Sequence, residues 1–345
     1  MSKSHPLAAT LPMEAKLVGA LPAGPGWQYE PKWDGFRAIA SRWGDAIEIM
    51  SKSGKSLARY FPEIVAVLAA THERDFVVDG ELILPIGEIL SFDALQDRLH
   101  PAQSRIARLS VETPAKLMLF DCLALGGRDM VDAPLEERRT AIERFHAAEV
   151  NSTLLLSPAT TDERQAMLWL ENSGGALDGV IAKPLSVPYG PGERAMRKIK
   201  QHRTADCVVG GFRRSKNGSE VASLLLGLYD DTGLLNHVGF TSALADEDKA
   251  ALTKRLEALI AEPGFTGKAP GGPSRWTDGK ESLWHPLAPE LVVEVRYDQV
   301  TGERFRHGTA LMRWRPDKVP RQCGMEQLHY ELRPSELTDL QATKG

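Results

Sequence analysis

Apolar residues along the first two hundred positions repeat with two periods. FVVDGELILP (76–85), KLMLFDCLAL (116–125) and LDGVIAKP (177–184) are nearly continuous apolar runs of strand length, broken by charged residues. Helical spacing lies between them, in YFPEIVAVLAATH (60–72), SFDALQDRLH (91–100), PLEERRTAIERFHAAE (134–149) and TDERQAMLWLENSG (161–174). The last has Thr161 or Asp162 as N-cap and Gly174-Gly175 as its stop. The helix 134–149 reads as a structural cover with acid-base pairs on its faces. The runs lack the regular alternation of a doubly wound sheet, so the pattern predicts an α+β domain with helices flanking its sheets.

Beyond residue 203 strands follow at short spacing: DCVVGGFRR, ASLLLGLYD, LNHVGFTS and LVVEVRYDQV, with one helix at 246–262. Five or so short strands and one helix suit a small closed barrel of the OB type. The expected division is 1–203 and 204–345, the second part ending in a short tail. EPGFTGKAPGGPSRW (262–276) reads as a surface loop, and Gly210-Gly211 and Gly271-Gly272 read as turns.

Composition narrows the classes. The 345 residues are 42% hydrophobic and 26% charged, an ordinary globular balance. No run reaches membrane-spanning length and the N-terminus lacks a signal-peptide core, so a cytoplasmic protein is expected. Cys122, Cys207 and Cys323 lie far apart without CxxC spacing, which argues against a disulfide framework or a cysteine zinc site. His100, His146, His202, His237, His285 and His329 show no metal-ligand spacing. Net charge is −4, yet eight Lys or Arg against one Asp fall between Arg194 and Lys216, and six against one between Arg304 and Arg321. Basic clusters on a mildly acidic chain are local features, either solvated faces or contact surfaces for phosphates.

The candidate chemistry begins at Glu30-Pro31-Lys32-Trp33-Asp34-Gly35-Phe36-Arg37, where a strand presents a lysine before an acid and a glycine turn. Alone, such a segment is an ordinary surface turn. It is followed by Lys52 in SKSGKSL, Asp79-Gly80-Glu81, Phe120-Asp121, Asp178-Gly179 with Lys183, and Lys198-Ile199-Lys200. Charges within apolar strands cost several kcal/mol unless paired or liganded, so a series of them points to a shared polar site.

This order of motifs resembles the nucleotidyltransferase superfamily of ATP-dependent DNA ligases, and more closely the stand-alone bacterial C-type ligases and the ligase module of bacterial polymerase-ligase end-joining fusions. The likeness runs from Pro12 to Cys323 and includes RTADC (203–207), LLLGLYD (224–230), VEVRYD (293–298) and RFRHGTALMRWRPDK (304–318). It implies an adenylation domain followed by an OB-fold. Lys32 would attack the α-phosphate of ATP to give lysyl-AMP. Glu30 would define the adenine pocket, Phe120 would stack on adenine, Arg37 would bind ribose or phosphate, and Glu81 would contact ribose or a hydrated metal. Lys183, Lys198 and Lys200 would surround the phosphates. Three departures stand out: Lys52 where relatives commonly carry arginine, Asp178 in place of glutamate, and Met196 where many carry tryptophan. Arg213, Arg214 and Lys216 would follow the DNA backbone. Arg304, Arg306, Arg313, Arg315, Asp317 and Lys318 would form the sixth motif, which orients pyrophosphate during lysine adenylylation.

Elementary chemistry fits these roles. An ordinary lysine is protonated at pH 7 and cannot attack phosphorus, and neighbouring cations penalise its ammonium form. The oxygen donors Asp34, Glu81 and Asp178 would suit Mg²⁺ or Mn²⁺. The expected reaction seals 5′-phosphate, 3′-hydroxyl nicks in duplex DNA during repair, by a nucleoid-associated monomer, with a Ku-like end-binding protein or a separate repair polymerase as partner. The rival readings are an RNA ligase or capping guanylyltransferase, which share the lysine chemistry, and a catalytically silent nucleic-acid binder. An NAD-dependent ligase fits less well, since 31 residues precede Lys32 and no cysteine zinc module follows.

Overall fold

A computed structural model describes residues 4–86, 89–149, 151–171, 177–200, 203–215, 218–244, 248–271, 283–298, 300–305 and 308–328. They fall in two compact units, one within Met1–Gln201 and one within His202–Tyr330. Lys216, Arg306, His202, His329, Gly272, the Gly174-Gly175 stop and the C-terminal tail lie outside the described residues. No helix among those described is long and apolar enough to cross a membrane.

The strands of the first unit are β1 (Ala15–Leu17), β2 (Trp27–Trp33), β3 (Phe36–Trp43), β4 (Ala46–Ser51), β5 (Asp75–Ile83), β6 (Pro85–Ile86), β7 (Ile89–Leu90), β8 (Lys116–Leu125), β9 (Arg128–Asp129), β10 (Leu154–Leu156), β11 (Leu177–Pro184) and β12 (Met196–Ile199). Its helices are α1 (Pro62–Ala70), α2 (Phe92–Asp97), α3 (Gln103–Glu112), α4 (Leu135–Ala148) and α5 (Glu163–Glu171). Two main sheets result, with orders β10-β8-β5-β3-β4, to which β9 adds by pairing with β8, and β1-β12-β11-β2, while β6 and β7 form a separate two-stranded sheet. Pairing is antiparallel except at the edges, where β10 joins β8 and β1 joins β12 in parallel. Lys183 on one sheet donates to the Phe120 carbonyl on the other at 3.1 Å, so the sheets are tied where the charged strands meet.

Local signals explain most helix starts. Pro62 fixes the first turn of α1. The Ser91 hydroxyl accepts from the Ala94 amide at 3.2 Å and caps α2. Asp162 accepts from the Arg164 amide at 2.9 Å before α5. Helix α3 has no counterpart among the expected helices; it is a short, largely polar segment in which Ile106 is the one buried residue. Helix α4 does cover the larger sheet, but through more than surface pairs. Arg138 reaches inward to Asp121 at 2.7 Å with both side chains buried. Asp121 is therefore a structural anchor, on the opposite face of β8 from Phe120, and does not join the shared polar site.

The second unit contains β13 (Arg203–Arg214), β14 (Val221–Tyr229), β15 (Leu235–Ala243), α6 (Lys249–Glu257), β16 (His285–Pro286), β17 (Val292–Tyr297), β18 (Val300–Thr301), β19 (Arg304–Phe305) and β20 (Thr309–Trp314). β13 pairs with β14 and β17, β14 with β15, β15 with β20 in parallel, and β20 with β17. That cycle closes a five-stranded barrel with α6 inserted before its fourth strand, the expected OB architecture. Its interior is apolar, built from residues such as Val208, Phe212, Leu224, Leu226, Val238 and Val293.

One expectation fails here. Gly210 and Gly211 lie inside β13, not in a turn. A β-carbon on Gly210 would sit 2.6 Å from the Phe265 ring, and one on Gly211 would sit 2.6 Å from Trp284. Both glycines make room for aromatic rings laid against the strand.

Candidate active site

The lysine segment folds as a crossing between the two sheets. β2 pairs with β11 in the smaller sheet, whereas β3 pairs with β4 and β5 in the larger one. Asp34-Gly35 carries the chain across. A β-carbon at Gly35 would lie 2.0 Å from the Leu82 carbonyl, so this close passage requires glycine. The same requirement recurs at Gly179, where φ is +125° and a β-carbon would meet the Ile199 carbonyl at 2.0 Å. Lys32 thus ends one sheet, Arg37 begins the other, and a cleft opens between them.

Alternation along the strands selects the lining. Glu30 and Lys32 on β2, Ile181 and Lys183 on β11, and Met196 and Lys198 on β12 all face the cleft. Arg37, Glu81 and Phe120 face them from the larger sheet, and Lys52 and Glu14 stand at its edge.

One end is a fixed polar floor. Buried Glu30 Oε1 accepts from Gln28 Nε2 at 2.7 Å and is paired with Lys183 Nζ at 2.9 Å. Lys183 also lies 4.7 Å from the centre of the Phe120 ring, and Arg37 lies 4.5 Å from it. Arg37 is itself held by both oxygens of buried Asp79, at 2.6 and 2.5 Å, a bidentate pair. Tyr189 adds a third bond to Asp79 at 2.6 Å and accepts from the Met13 amide at 2.8 Å. Lys183 is thus engaged with Glu30 and with the ring and carbonyl of Phe120 at this end of the cleft.

The other end gathers ammonium groups around one carboxylate. Asp178 receives Lys32 at 2.5 Å on one oxygen and Lys200 at 3.0 Å on the other. Lys198 is pushed below the ordinary lysine range, by burial first and then by the positive charges of Lys32 and Lys200. Lys52 is exposed and paired with Glu14 at 3.1 Å. The sequence surrounds Lys32 with cations; the structure adds an anion in direct contact with it.

The proposed metal ligands divide. Glu81 stands opposite Arg37 in the β3–β5 register. Desolvation raises its carboxyl to about 7, helped by Asp79 and Asp34 and opposed by Arg37 and Lys32. A desolvated carboxyl near a second carboxylate offers oxygen donors of the kind a hard divalent cation takes. Asp178 has both oxygens occupied by ammonium groups. Among the described residues no group of three or more potential ligands is assembled.

Gln28, Glu14, Met13, Asp79 and Tyr189 are parts of this site that motif reading left without roles. Asp79 lay within a quoted motif and was visible. Glu14 and Tyr189 carry no local signal, since their contacts with Lys52 and Asp79 span large sequence separations.

In the second unit, Arg313 bonds Glu294 at 2.6 Å, and Arg315 reaches Asp206 at 2.8 Å and Asp317. Lys318 also binds Asp206, at 2.6 Å. The bond to Arg315 holds the Asp317 carboxyl down at about 2. Arg214 is committed to Glu257 and, at 2.9 Å, to the Ser219 carbonyl. Arg213 lies near the exposed Phe240 ring, and Arg304 lies 3.1 Å from His237.

With this geometry in hand, comparison with known proteins is direct. The family described as "ATP dependent DNA ligase domain" matches residues 8–200, and "ATP dependent DNA ligase C terminal region" matches 217–318. The chain is 46% identical to DNA ligase C2 of Mycolicibacterium smegmatis over 334 residues, 92% of this chain and 93% of that protein. It is 44% identical to DNA ligase C of Mycobacterium tuberculosis over 346 residues, 95% and 96% of the two chains. Its fold resembles that of a solved Lig E DNA ligase, with TM-score 0.52 at 17% identity, covering 88% of this chain and 99% of that one. The chain belongs to the family of ATP-dependent DNA ligases.

Proposed function

We propose that this chain uses ATP to seal nicks bearing a 5′-phosphate and a 3′-hydroxyl in duplex DNA, through AMP carried on Lys32. The observation that carries this is the Lys32 amine at a crossing between two sheets, 2.5 Å from Asp178 and within the field of Lys198. The amine attacks the α-phosphorus, a P–N bond forms, the bond to the bridging oxygen breaks and pyrophosphate leaves. Asp178 orients the amine and is the nearest base for the proton it must lose. The 5′-phosphate of the nick then displaces Lys32 from AMP, and the 3′-hydroxyl displaces AMP.

Glu30 and Phe120 form the purine end of the cleft, with Arg37 beside the ribose. Lys198, Lys200 and Lys52 serve the phosphates, where fixed cations stabilise charge on the leaving group. Glu81 and Asp34 would hold Mg²⁺ or Mn²⁺, which would supply further positive charge at the phosphates, and Asp178 would join them on releasing its ammonium partners. Arg213, Arg304, Arg313, Arg315 and Lys318 provide salt-sensitive contacts to phosphates of DNA or pyrophosphate. Repair is the process that fits, with an end-binding protein or repair polymerase as partner.

The test is incubation of wild-type protein and Lys32→Ala with α-labelled ATP or GTP, a denaturing gel, then addition of nicked duplex. Label from ATP retained only by wild type and chased off as the nick closes is the expected result. Label from GTP points to capping chemistry. No label in protein first stripped with pyrophosphate overturns the mechanism.

A further inference from the structure

Met13, just before β1, forms part of the wall of the nucleotide cleft with Pro12, Glu14 and Ala15. Side chains take both of its backbone groups. Its amide donates to the Tyr189 hydroxyl at 2.8 Å, and its carbonyl accepts from Arg37 Nη2 at 3.2 Å. The Tyr189 hydroxyl in turn donates to Asp79 Oδ2 at 2.6 Å, and the same oxygen accepts from Arg37 Nη2 at 2.5 Å. These four groups close a ring of hydrogen bonds, with Met13, Asp79 and Tyr189 all buried. The backbone of Glu14 bonds elsewhere, its amide to the Glu193 carbonyl at 2.7 Å and its carbonyl to the Met196 amide at 3.2 Å. The wall is thus tied at successive residues to different segments.

A guanidinium carries five N–H donors. Arg37 commits three of them here: Nε to Asp79 Oδ1 at 2.6 Å, and the two protons of Nη2 to Asp79 Oδ2 and the Met13 carbonyl. Among the described residues nothing accepts from Nη1, although the side chain borders the cleft and lies over Phe120. Nη1 is the part of Arg37 left for a ligand, and the ring fixes its direction. Burial, then the negative charge of Asp79, raises the Tyr189 phenol well above its ordinary range, so it stays a donor at neutral pH. We propose that Tyr189 is a positioning residue for nucleotide binding: by holding Asp79 and the Met13 peptide it aims Arg37 Nη1 at a ribose hydroxyl of ATP. A donor acts this way when its own partners are locked by further bonds. The ribose as target rests on the ligase reading; the ring of hydrogen bonds does not.

The test compares wild type, Tyr189→Phe, Arg37→Ala and the double variant, each with ATP and with 2′,3′-dideoxy-ATP, which lacks both ribose hydroxyls. Lysine labelling gives KM and the rate at saturation, and calorimetry in EDTA gives affinity without chemistry. Tyr189→Phe deletes one oxygen and keeps the aromatic ring. It is expected to raise KM and Kd for ATP about 10-fold, the size of one hydrogen bond to a charged donor, with a much smaller change in the saturated rate. Affinity for dideoxy-ATP is expected to stay within about twofold, and Tyr189→Phe to add nothing further in Arg37→Ala protein. Equal weakening of both nucleotides, or additive effects of the two substitutions, marks a merely structural role and overturns the proposal. Where Tyr189→Phe loses the wild-type unfolding transition, ¹H NMR of wild type decides. A slowly exchanging Tyr189 hydroxyl with a cross-peak to the Met13 amide is expected there, and a hydroxyl in fast exchange overturns the ring. Wild type that binds ATP without labelling counts against the ligase reading, and the calorimetric affinities then decide Tyr189 alone. Wild type that binds neither nucleotide overturns both.

Discussion

The cleft of the first unit and the barrel of the second hold their cations in different ways. In the cleft, cations meet carboxylates supplied by other strands or segments: Lys32 and Lys200 with Asp178, Lys183 with Glu30, Arg37 with Asp79 and Lys52 with Glu14. On the barrel, Asp206 takes Arg315 and Lys318, and Glu294 takes Arg313, whose side chain is largely exposed. The first arrangement fixes side chains to within a bond length, as a covalent step needs. The second leaves cations that could exchange a protein carboxylate for a phosphate, as the proposed DNA contacts need.

The largest effect expected from breaking this contrast is on chemistry. Lys32→Arg keeps the charge and its partner Asp178, yet a guanidinium is never free to attack, so labelling by ATP falls to background on a denaturing gel. Asp178→Asn lowers the rate of lysine labelling by on the order of 10²-fold in rapid-quench measurements, by removing the nearest base and the anchor of Lys32 and Lys200 together.

Stability sharpens the comparison next. Glu30→Ala leaves the buried Lys183 ammonium with the Phe120 carbonyl as its remaining hydrogen-bond partner, and is expected to cost about 3–5 kcal/mol in urea unfolding. Arg313→Ala breaks a pair whose arginine is largely exposed, and should cost under about 1 kcal/mol. Equal costs for the two would erase the distinction between a preorganised cleft and an exchangeable surface.

A separate effect is a pH dependence confined to the barrel. The folded His237 ring titrates near 3, below its ordinary value of 6.5. Its contribution to stability is complete above pH 6.5 and declines as pH falls toward 3, because the unfolded chain takes up the proton first. His237→Gln should therefore flatten the acid limb of barrel unfolding followed by Trp fluorescence. An unchanged acid limb would contradict a buried neutral ring.

Much of this was legible in the sequence, for a physical reason. Charged residues inside apolar strands are costly, so Glu30, Glu81, Asp178 and Lys183 announce a site by being out of place. The barrel followed from short strands at regular spacing, and β8 and β11 match their apolar runs residue for residue. What stayed hidden depends on long-range contact. Asp121 looks like Asp79 in its strand but faces Arg138 on the other side of the sheet. Glu14 and Tyr189 are ordinary residues until the fold brings them to Lys52 and Asp79. Gly210-Gly211 reads as a turn because the rings that demand it come from residues 265 and 284.

The central claim is that one amine, on Lys32, carries the nucleotide. Peptide mapping by mass spectrometry of protein stripped with pyrophosphate and then treated with ATP and Mg²⁺ tests it most directly. The predicted result is AMP on the peptide containing Lys32 and on no other, lost when nicked duplex is added. AMP on Lys198 or Lys200, or AMP that persists while nicks close, would contradict the account.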